Sequence, residues 1–347
     1  MNLTSMKRVA INGFGRIGRT FLRMAFGHKD FEVVAINDLG SLENLAYLLK
    51  YDSVYGRAPF TVEVVDGKLL VQGKEITFTQ ERDPEKLPWG AQNIDIVVES
   101  TGFYASYEAS KKHLTAGAKR VVISAPVKDD AAAAGINGAT VLMGVNDDQL
   151  KVCDISSNAS CTTNATSPLI AILKESIGIE KAILNTVHAY TSTQSLVDGP
   201  GKKDLRSGRA AALNIIPAST GAAIATTVAH PELDGVFDGI AMRVPVPVGS
   251  IVDVTFIAKR DTTVEEINEA FKKAAADPRW KNIFAATDEP IVSSDIIGSR
   301  VGSIADLSFT RVVGGNLVKV LGWYDNETSY TQTLVEHVAA SARHIQS

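Results

Sequence analysis

The chain has 347 residues, 45% of them apolar and 21% charged, with a formal net charge of −4. That profile suits a globular protein of two domains, each with its own core, and gives no electrostatic reason to expect nucleic acid as the main partner. Two cysteines, Cys153 and Cys161, exclude a disulfide framework and a four-ligand thiolate metal site, and no metal is expected.

Residues Met1 to Ser5 read as a short extension. Met1 to Arg8 is polar, without the apolar stretch of a signal peptide, and no run of about 18 apolar residues occurs anywhere. The expected location is therefore cytoplasmic, with no membrane contact. Arg8 to Asn12 reads as a short strand, Arg16 to Phe26 as a helix, Val33 to Asn37 as a second strand and Leu42 to Lys50 as a second helix. Thr61 to Thr79 alternates with period two and is broken at Asp66-Gly67 and Gln72-Gly73, which are hairpin signals. Ile94 to Glu99 and Arg120 to Ser124 are continuous apolar strands separated by a helical stretch, Tyr107 to Ala116. Such alternation predicts a doubly wound, parallel α/β sheet of Rossmann type.

The second half changes character. Pro168 to Ile177 has helical spacing, and longer strands follow at Lys181–His188, Asp238–Val246 and Ile251–Lys259. A helix is expected at Val264–Ala275 and another at Glu327–Gln346. The half-alternating strands predict an α+β domain with a mostly antiparallel sheet. Thr191 to Arg209 has no period, and a loop of that length in a compact domain is usually functional.

Gly13-Phe14-Gly15-Arg16-Ile17-Gly18 follows the first strand and opens the first helix. In that setting Gly13 permits a tight turn, Gly15 admits a pyrophosphate close to the backbone, and Gly18 allows close helix–strand packing. Asp38 closes the second strand, placed to accept hydrogen bonds from ribose hydroxyls and to repel a 2′-phosphate. NAD is thus favoured over NADP. Taken alone, Asp38 could be a simple helix cap for the following segment.

Cys161 lies in Ser157-Asn158-Ala159-Ser160-Cys161-Thr162-Thr163-Asn164, just ahead of the helical run. A thiol near a helix N-terminus is favoured as thiolate, the nucleophilic form. Cys153, between Val152 and Asp154 on an expected strand, reads as a buried small hydrophobe. His188 ends an apolar strand; sequence alone leaves open whether it meets Cys161 or is a structural hydrogen-bonding group.

Ile11–Arg19 (INGFGRIGR), Leu48–Ser53 (LLKYDS), SNASCTTN at 157–164, Thr186–Gln194 (TVHAYTSTQ), Asn214–Ala223 (NIIPASTGAA), Met242–Pro247 (MRVPVP) and Trp323–Glu327 (WYDNE) occur in this order. Together they resemble the phosphorylating glyceraldehyde-3-phosphate dehydrogenase family over nearly the whole chain. The resemblance implies Cys161 as nucleophile and His188 as its base. It implies Thr191, Thr193 and Arg243 at the substrate phosphate, and Ser160, Thr162, Thr220 and Gly221 at inorganic phosphate. For the cofactor it adds Arg16 and Ile17 at the pyrophosphate, Arg82 toward the adenine, Ser100, Thr101 and Ser124 along the crevice, and Asn326 at the nicotinamide carboxamide. Without it, Arg243 would be read as a carboxylate partner, Ser219-Thr220-Gly221 as a helix cap and Asn326 as a turn residue.

The implied domains are 1–160 with 326–347 for NAD and 161–325 for catalysis. The implied assembly is a homotetramer, with the 191–209 loop at a subunit interface. The alternative activity is that of erythrose-4-phosphate dehydrogenase. Two departures at single positions stand out: Ala165 where a second cysteine is common, and Ser207, flanked by Arg206 and Arg209, where some bacterial members carry an arginine.

Overall fold

The computed structural model describes residues 6–201 and 204–345; the Met1–Ser5 extension lies outside them. The chain forms two compact units, Met1–Ala159 with Leu334–Ser347, and Ser160–Thr333.

The first unit opens with β1 (Lys7–Asn12), α1 (Arg16–Ala25), β2 (Phe31–Asn37) and α2 (Leu42–Lys50), then a short ladder of β3 (Tyr51–Asp52) and β4 (Gly56–Arg57). A meander follows of β5 (Val62–Val65), β6 (Lys68–Val71) and β7 (Lys74–Thr79). The unit continues through β8 (Ile96–Glu99), α3 (Tyr107–Thr115), β9 (Arg120–Ile123), β10 (Gly138–Thr140) and β11 (Ile155–Ser157). Nine strands pair in the order β10-β11-β9-β8-β1-β2-β7-β6-β5. From β10 to β7 the pairing is parallel, and β5, β6 and β7 are antiparallel. Both hairpin turns use left-handed pairs, Asp66-Gly67 and Gln72-Gly73, all four at positive φ, as two-residue turns of the primed type require.

Alternate residues of β1 feed opposite faces: Val9 and Ile11 join Phe21, Leu22 and Leu49, while Ala10 joins Trp89, Val97 and Val121. With both faces covered, the strands read as continuous apolar runs. β1 is flanked by β2 on one side and β8 on the other, so the strand order reverses there. A crevice at the carboxyl ends of these strands is where α/β sheets take ligands.

The second unit holds α4 (Cys161–Ser176), β12 (Ile179–Ala189), β13 (Ile216–Ser219), α5 (Ala222–Ala229), β14 (Phe237–Val244), β15 (Ser250–Ala258) and α6 (Val264–Ala276). It ends with β16 (Phe284–Thr287), β17 (Ser303–Asp306), β18 (Arg311–Val313), β19 (Leu317–Tyr324) and the first turns of α7 (Thr328–Arg343). The sheet runs β13-β14-β12-β15-β19-β17-β16, with β18 on β19. Only β12–β14 and β16–β17 are parallel among the described residues. Along β15 buried and half-buried residues alternate, and α4 covers one face of β15, β17 and β19.

Two local expectations need correction. The helix expected from Pro168 begins at Cys161, because Ser160 caps it by accepting from Thr163 N–H at 3.1 Å. Pro168 lies inside the helix; every residue from Thr162 to Leu173 is buried, and that packing outweighs its lost backbone bond. Cys153 is buried as expected but precedes β11 in irregular chain instead of sitting on a strand.

Candidate active site

The crevice of the first unit is a cavity of ≈ 600 Å³, lined by Gly13, Gly15, Asp38, Arg82, Ser100 and Thr101. That size suits a bound small molecule or cofactor moiety. Gly13 has φ +94°, and a Cβ there would lie 2.5 Å from Thr101 N. A Cβ on Gly18 would lie 2.2 Å from the Gly13 carbonyl oxygen, whereas one on Gly15 would meet nothing within 4 Å. The first and third glycines are thus demanded by packing, and the second leaves open backbone. This arrangement fits a dinucleotide, with the α1 N-terminus available to a phosphate.

Asp38, one residue past β2, accepts from Phe14 N–H at 2.6 Å and Gly40 N–H at 2.8 Å, so it braces the glycine turn it stands beside. Ser100 Oγ donates to the Gly13 carbonyl at 2.7 Å. The Arg82 carbonyl accepts from Tyr104 Oη–H at 2.8 Å. Ser124 follows β9 and its N–H donates to the Glu99 carbonyl at 2.9 Å. Ile17 packs on the core. Arg16 is the first residue of α1, and its guanidinium is 2.7 Å from Asp52.

In the second unit Cys161 is the first residue of α4. Its Sγ lies 3.3 Å from His188 Nε2. β12 carries His188, and its parallel register with β14 puts Arg243 directly opposite. Arg243 Nη1 is 2.6 Å from His188 Nδ1 and 3.2 Å from the Ala189 carbonyl. Neither partner is a carboxylate. Burial, then the Arg243 charge, holds His188 down at about 3, so the imidazole is neutral at ordinary pH. Burial pushes the Cys161 thiol above its usual value, and Arg243 and the Thr162 N–H act the other way.

His188 Nδ1 also lies 2.6 Å from the Ala189 carbonyl. A neutral imidazole cannot serve both neighbours at once. An Nδ1 that accepts from Arg243 puts the ring proton on Nε2, facing sulfur. An Nδ1–H that donates to Ala189 leaves Nε2 as a base.

Ser160 Oγ, besides capping α4, lies 2.8 Å from Thr163 Oγ1. Thr162 Oγ1 lies 2.9 Å from Tyr324 Oη. Thr191 and Thr193 hydroxyls are 2.9 Å apart. Thr220 Oγ1 accepts from Ala222 N–H at 3.2 Å, and Gly221 is the N-cap of α5, which has no side-chain cap bond. Asn326 is buried, its Oδ1 accepting from Gly249 N–H and Ser250 Oγ–H at 3.2 and 3.1 Å.

Two contributors escape a reading by pattern. Tyr324 is fully buried, its hydroxyl within 2.9 Å of Thr162 and 2.8 Å of Thr186 and its ring edge-on to His188 at 5.8 Å; burial pushes its phenol well up. Glu99 ends the apolar β8 yet is buried, accepting from Asn12 Nδ2 at 2.6 Å and Thr101 N–H at 2.8 Å beside the glycine turn. A carboxylate closing a run of valines is itself a signal, since buried charge needs partners.

Residues 7–107 match the profile of the glyceraldehyde 3-phosphate dehydrogenase NAD binding domain, and residues 160–326 that of the C-terminal domain of the same family. A glyceraldehyde-3-phosphate dehydrogenase of Geobacillus stearothermophilus is 49% identical over 334 residues, 96% of this chain and 97% of the relative. One of Streptomyces coelicolor is 48% identical over 332 residues, 95% and 96% of the two chains. Glyceraldehyde-3-phosphate dehydrogenase 1 of Bacillus subtilis is 46% identical over 338 residues, 97% and 98%.

Proposed function

We propose, from the premise that this chain belongs to the glyceraldehyde-3-phosphate dehydrogenase family, that it oxidises and phosphorylates D-glyceraldehyde 3-phosphate to 1,3-bisphosphoglycerate with NAD. The observation that carries the mechanism is the 3.3 Å approach of Cys161 Sγ to His188 Nε2 at the first turn of α4. The helix N-terminus favours a thiolate there. His188 Nε2 takes the thiol proton, sulfur attacks the aldehyde carbon, and a C–S bond forms as the C=O π bond opens onto oxygen. The Cys161 N–H and the protonated imidazole would stabilise that oxyanion, and Nε2–H returns its proton to it, giving the thiohemiacetal and a bare Nε2.

NAD, when bound, supplies the hydride acceptor that the oxidation needs. His188 takes the hydroxyl proton as the carbonyl re-forms as a thioester. A phosphate oxygen then attacks that carbon, the C–S bond breaks, and the thiolate returns.

For this His188 must present a bare Nε2. Arg243 binding the substrate phosphate, with Thr191 and Thr193, would leave Nδ1–H to the Ala189 carbonyl and so select the basic tautomer. Ser160, Thr162, Thr220 and Gly221 are the candidates for the attacking phosphate; the N-terminus of α5, where the N-cap Gly221 carries no side chain, supports Gly221. In the first unit Gly13, Gly15, Arg16, Ile17, Gly18, Asp38, Arg82, Ser100, Thr101 and Ser124 are the cofactor candidates, with Asn326 for the carboxamide. The domain assignment follows: 1–160 with 326–347 for NAD, 161–325 for catalysis.

We also infer a cytoplasmic homotetramer. Leu196, Val197, Leu205, Leu213 and Ile215 lie exposed in and after the long loop, and clustered exposed hydrophobics mark association surfaces. No helix among the described residues is long and apolar enough to cross a membrane.

The test is NADH formation from glyceraldehyde 3-phosphate and NAD, with and without phosphate. Turnover that requires phosphate or arsenate is expected. Equal turnover without it would mean that water resolves the thioester, as in the erythrose-4-phosphate reading, which the names of these relatives do not favour.

A further inference from the structure

The segment that delivers the nucleophile is a sharp strand-to-helix elbow. β11 ends at Ser157, and α4 begins at Cys161. Between them Ala159 is held at φ +53°, a left-handed conformation that a residue with a Cβ keeps only where its surroundings fix it. Part of the fixing is local. Ser157 Oγ donates to the Ala125 carbonyl at 2.7 Å and accepts from Ala159 N–H at 3.0 Å, and Asn158 N–H donates to the Ile123 carbonyl at 2.9 Å.

The remainder comes from far along the chain. His337 on α7 is fully buried, with Nε2 2.7 Å from Ser156 Oγ and Nδ1 3.1 Å from Asn158 Oδ1. Burial alone drives this imidazole down to about 3, so it is neutral. Oδ1 can only accept, so Nδ1 carries the proton and Nε2 accepts from Ser156 Oγ–H. One ring thus ties Ser156, inside the strand ladder, to Asn158, which enters the turn.

The order hydroxyl, imidazole, amide matches a hydrolytic triad, but Ser156, His337 and Asn158 are 2%, 0% and 0% exposed, so no substrate reaches them. The same stretch of α7 otherwise packs Leu334, Val335, Val338 and Ala339 into an apolar cluster. An aliphatic residue at 337 would need no desolvation of polar groups. A buried polar network with every partner satisfied instead gives rigidity and a unique geometry.

We propose that His337 is a positioning residue for Cys161, clamping the elbow through Ser156 and Asn158 so that the strained turn presents the thiol at the head of α4. The inference rests on Cys161 being the nucleophile, as proposed above. Alkylation of Cys161 itself keeps the two apart: loss of turnover in Cys161→Ser tests the nucleophile, and alkylation rates test the clamp.

The experiment compares His337→Leu, Ser156→Ala and Val338→Ala with the unaltered protein. Iodoacetamide modification of Cys161 is followed by peptide mass spectrometry across pH, beside melting temperature and the kcat and KM for NAD. His337→Leu should slow alkylation about tenfold near neutral pH and move its midpoint to higher pH, with kcat falling by a similar factor and KM for NAD unchanged, since small misplacements of a reacting group act on the chemical step. Ser156→Ala, which removes one hydroxyl and should fold, should do the same to a smaller degree. Val338→Ala should lower the melting temperature and leave the alkylation profile in place. If His337→Leu, or Ser156→Ala where the former does not fold, lowers the melting temperature like Val338→Ala and keeps the native alkylation midpoint, the network only packs the core and the proposal fails.

Discussion

Replacing Arg243 by Gln should move Cys161 and His188 in the same direction for opposite reasons. The guanidinium lies 2.6 Å from His188 Nδ1. Its charge lowers the imidazole, after burial, and works against the burial that raises the thiol. Without it the imidazolium is less disfavoured and the thiolate less favoured, so both groups titrate at higher pH. A nearby opposite charge is generally worth about 1 to 3 pKa units, and one unit is a tenfold change in the ionised fraction. Alkylation of Cys161 near pH 7 should therefore slow by about tenfold or more. Rates measured across pH by mass spectrometry give the thiol directly, and the imidazole can be followed by NMR. The same variant should lose the guanidinium donor at His188 Nδ1, leaving the Ala189 carbonyl to accept from Nδ1–H. A thiol midpoint that stays put or falls would refute the assignment of Arg243 as the charge that sets this site, whatever the turnover does.

Two further outcomes follow, one from a half-buried carboxylate and one from buried histidines. Asp38→Ala removes the acceptor for Phe14 N–H and Gly40 N–H. Bonds to a charged group are worth about 1.5–3 kcal/mol, so the cofactor-free protein should melt lower and its calorimetric affinity for NAD should drop tenfold or more; an unchanged melting temperature would mean the carboxylate does not brace the turn. Acid should destabilise the fold through His188 and His337, each held at about 3, and His230, held at about 4 chiefly by burial. Their folded values lie below the unfolded value of about 6.5, so neutral burial stabilises fully above that pH and is lost as pH falls toward 4, by about 1.4 kcal/mol per pH unit for each histidine. His230 is 2% exposed and neither ring nitrogen has a hydrogen-bond partner among the described residues, so His230→Leu should remove about a third of that slope in urea titrations at pH 4.5 to 6.5. A slope equal to that of the unaltered protein would clear His230 of any part in it.

What could be read without coordinates was local. α2 spans Leu42–Lys50 in both readings, because Ser41 caps it and its apolar residues repeat at helical spacing. The hairpin turns were legible because Asp66-Gly67 and Gln72-Gly73 suit positive φ. The glycine turn was legible because each glycine answers a separate steric demand. Local reading stopped short at Pro168, where the apolar-periodic run begins. The polar residues ahead of it are also helical and buried, and the true start is set by the Ser160 cap. Cys153 failed in a milder way: its burial followed from residue type, its backbone state did not.

The chemistry depends on pairings that no spacing discloses. Cys161 and His188 are separated by a helix and most of a strand, and Arg243 reaches His188 only because β12 and β14 run parallel and in register. Family resemblance could name these three residues, since motifs carry identity. It could not give the competing tautomers that Arg243 and Ala189 impose on one imidazole nitrogen. Still less could it connect His337 with Asn158, 179 positions earlier. In an apolar stretch of helix a lone histidine gives no hint of its partner. The buried polar group is the informative exception in such a stretch, because the cost of burying it unpaired means that a partner should be sought wherever the fold brings one.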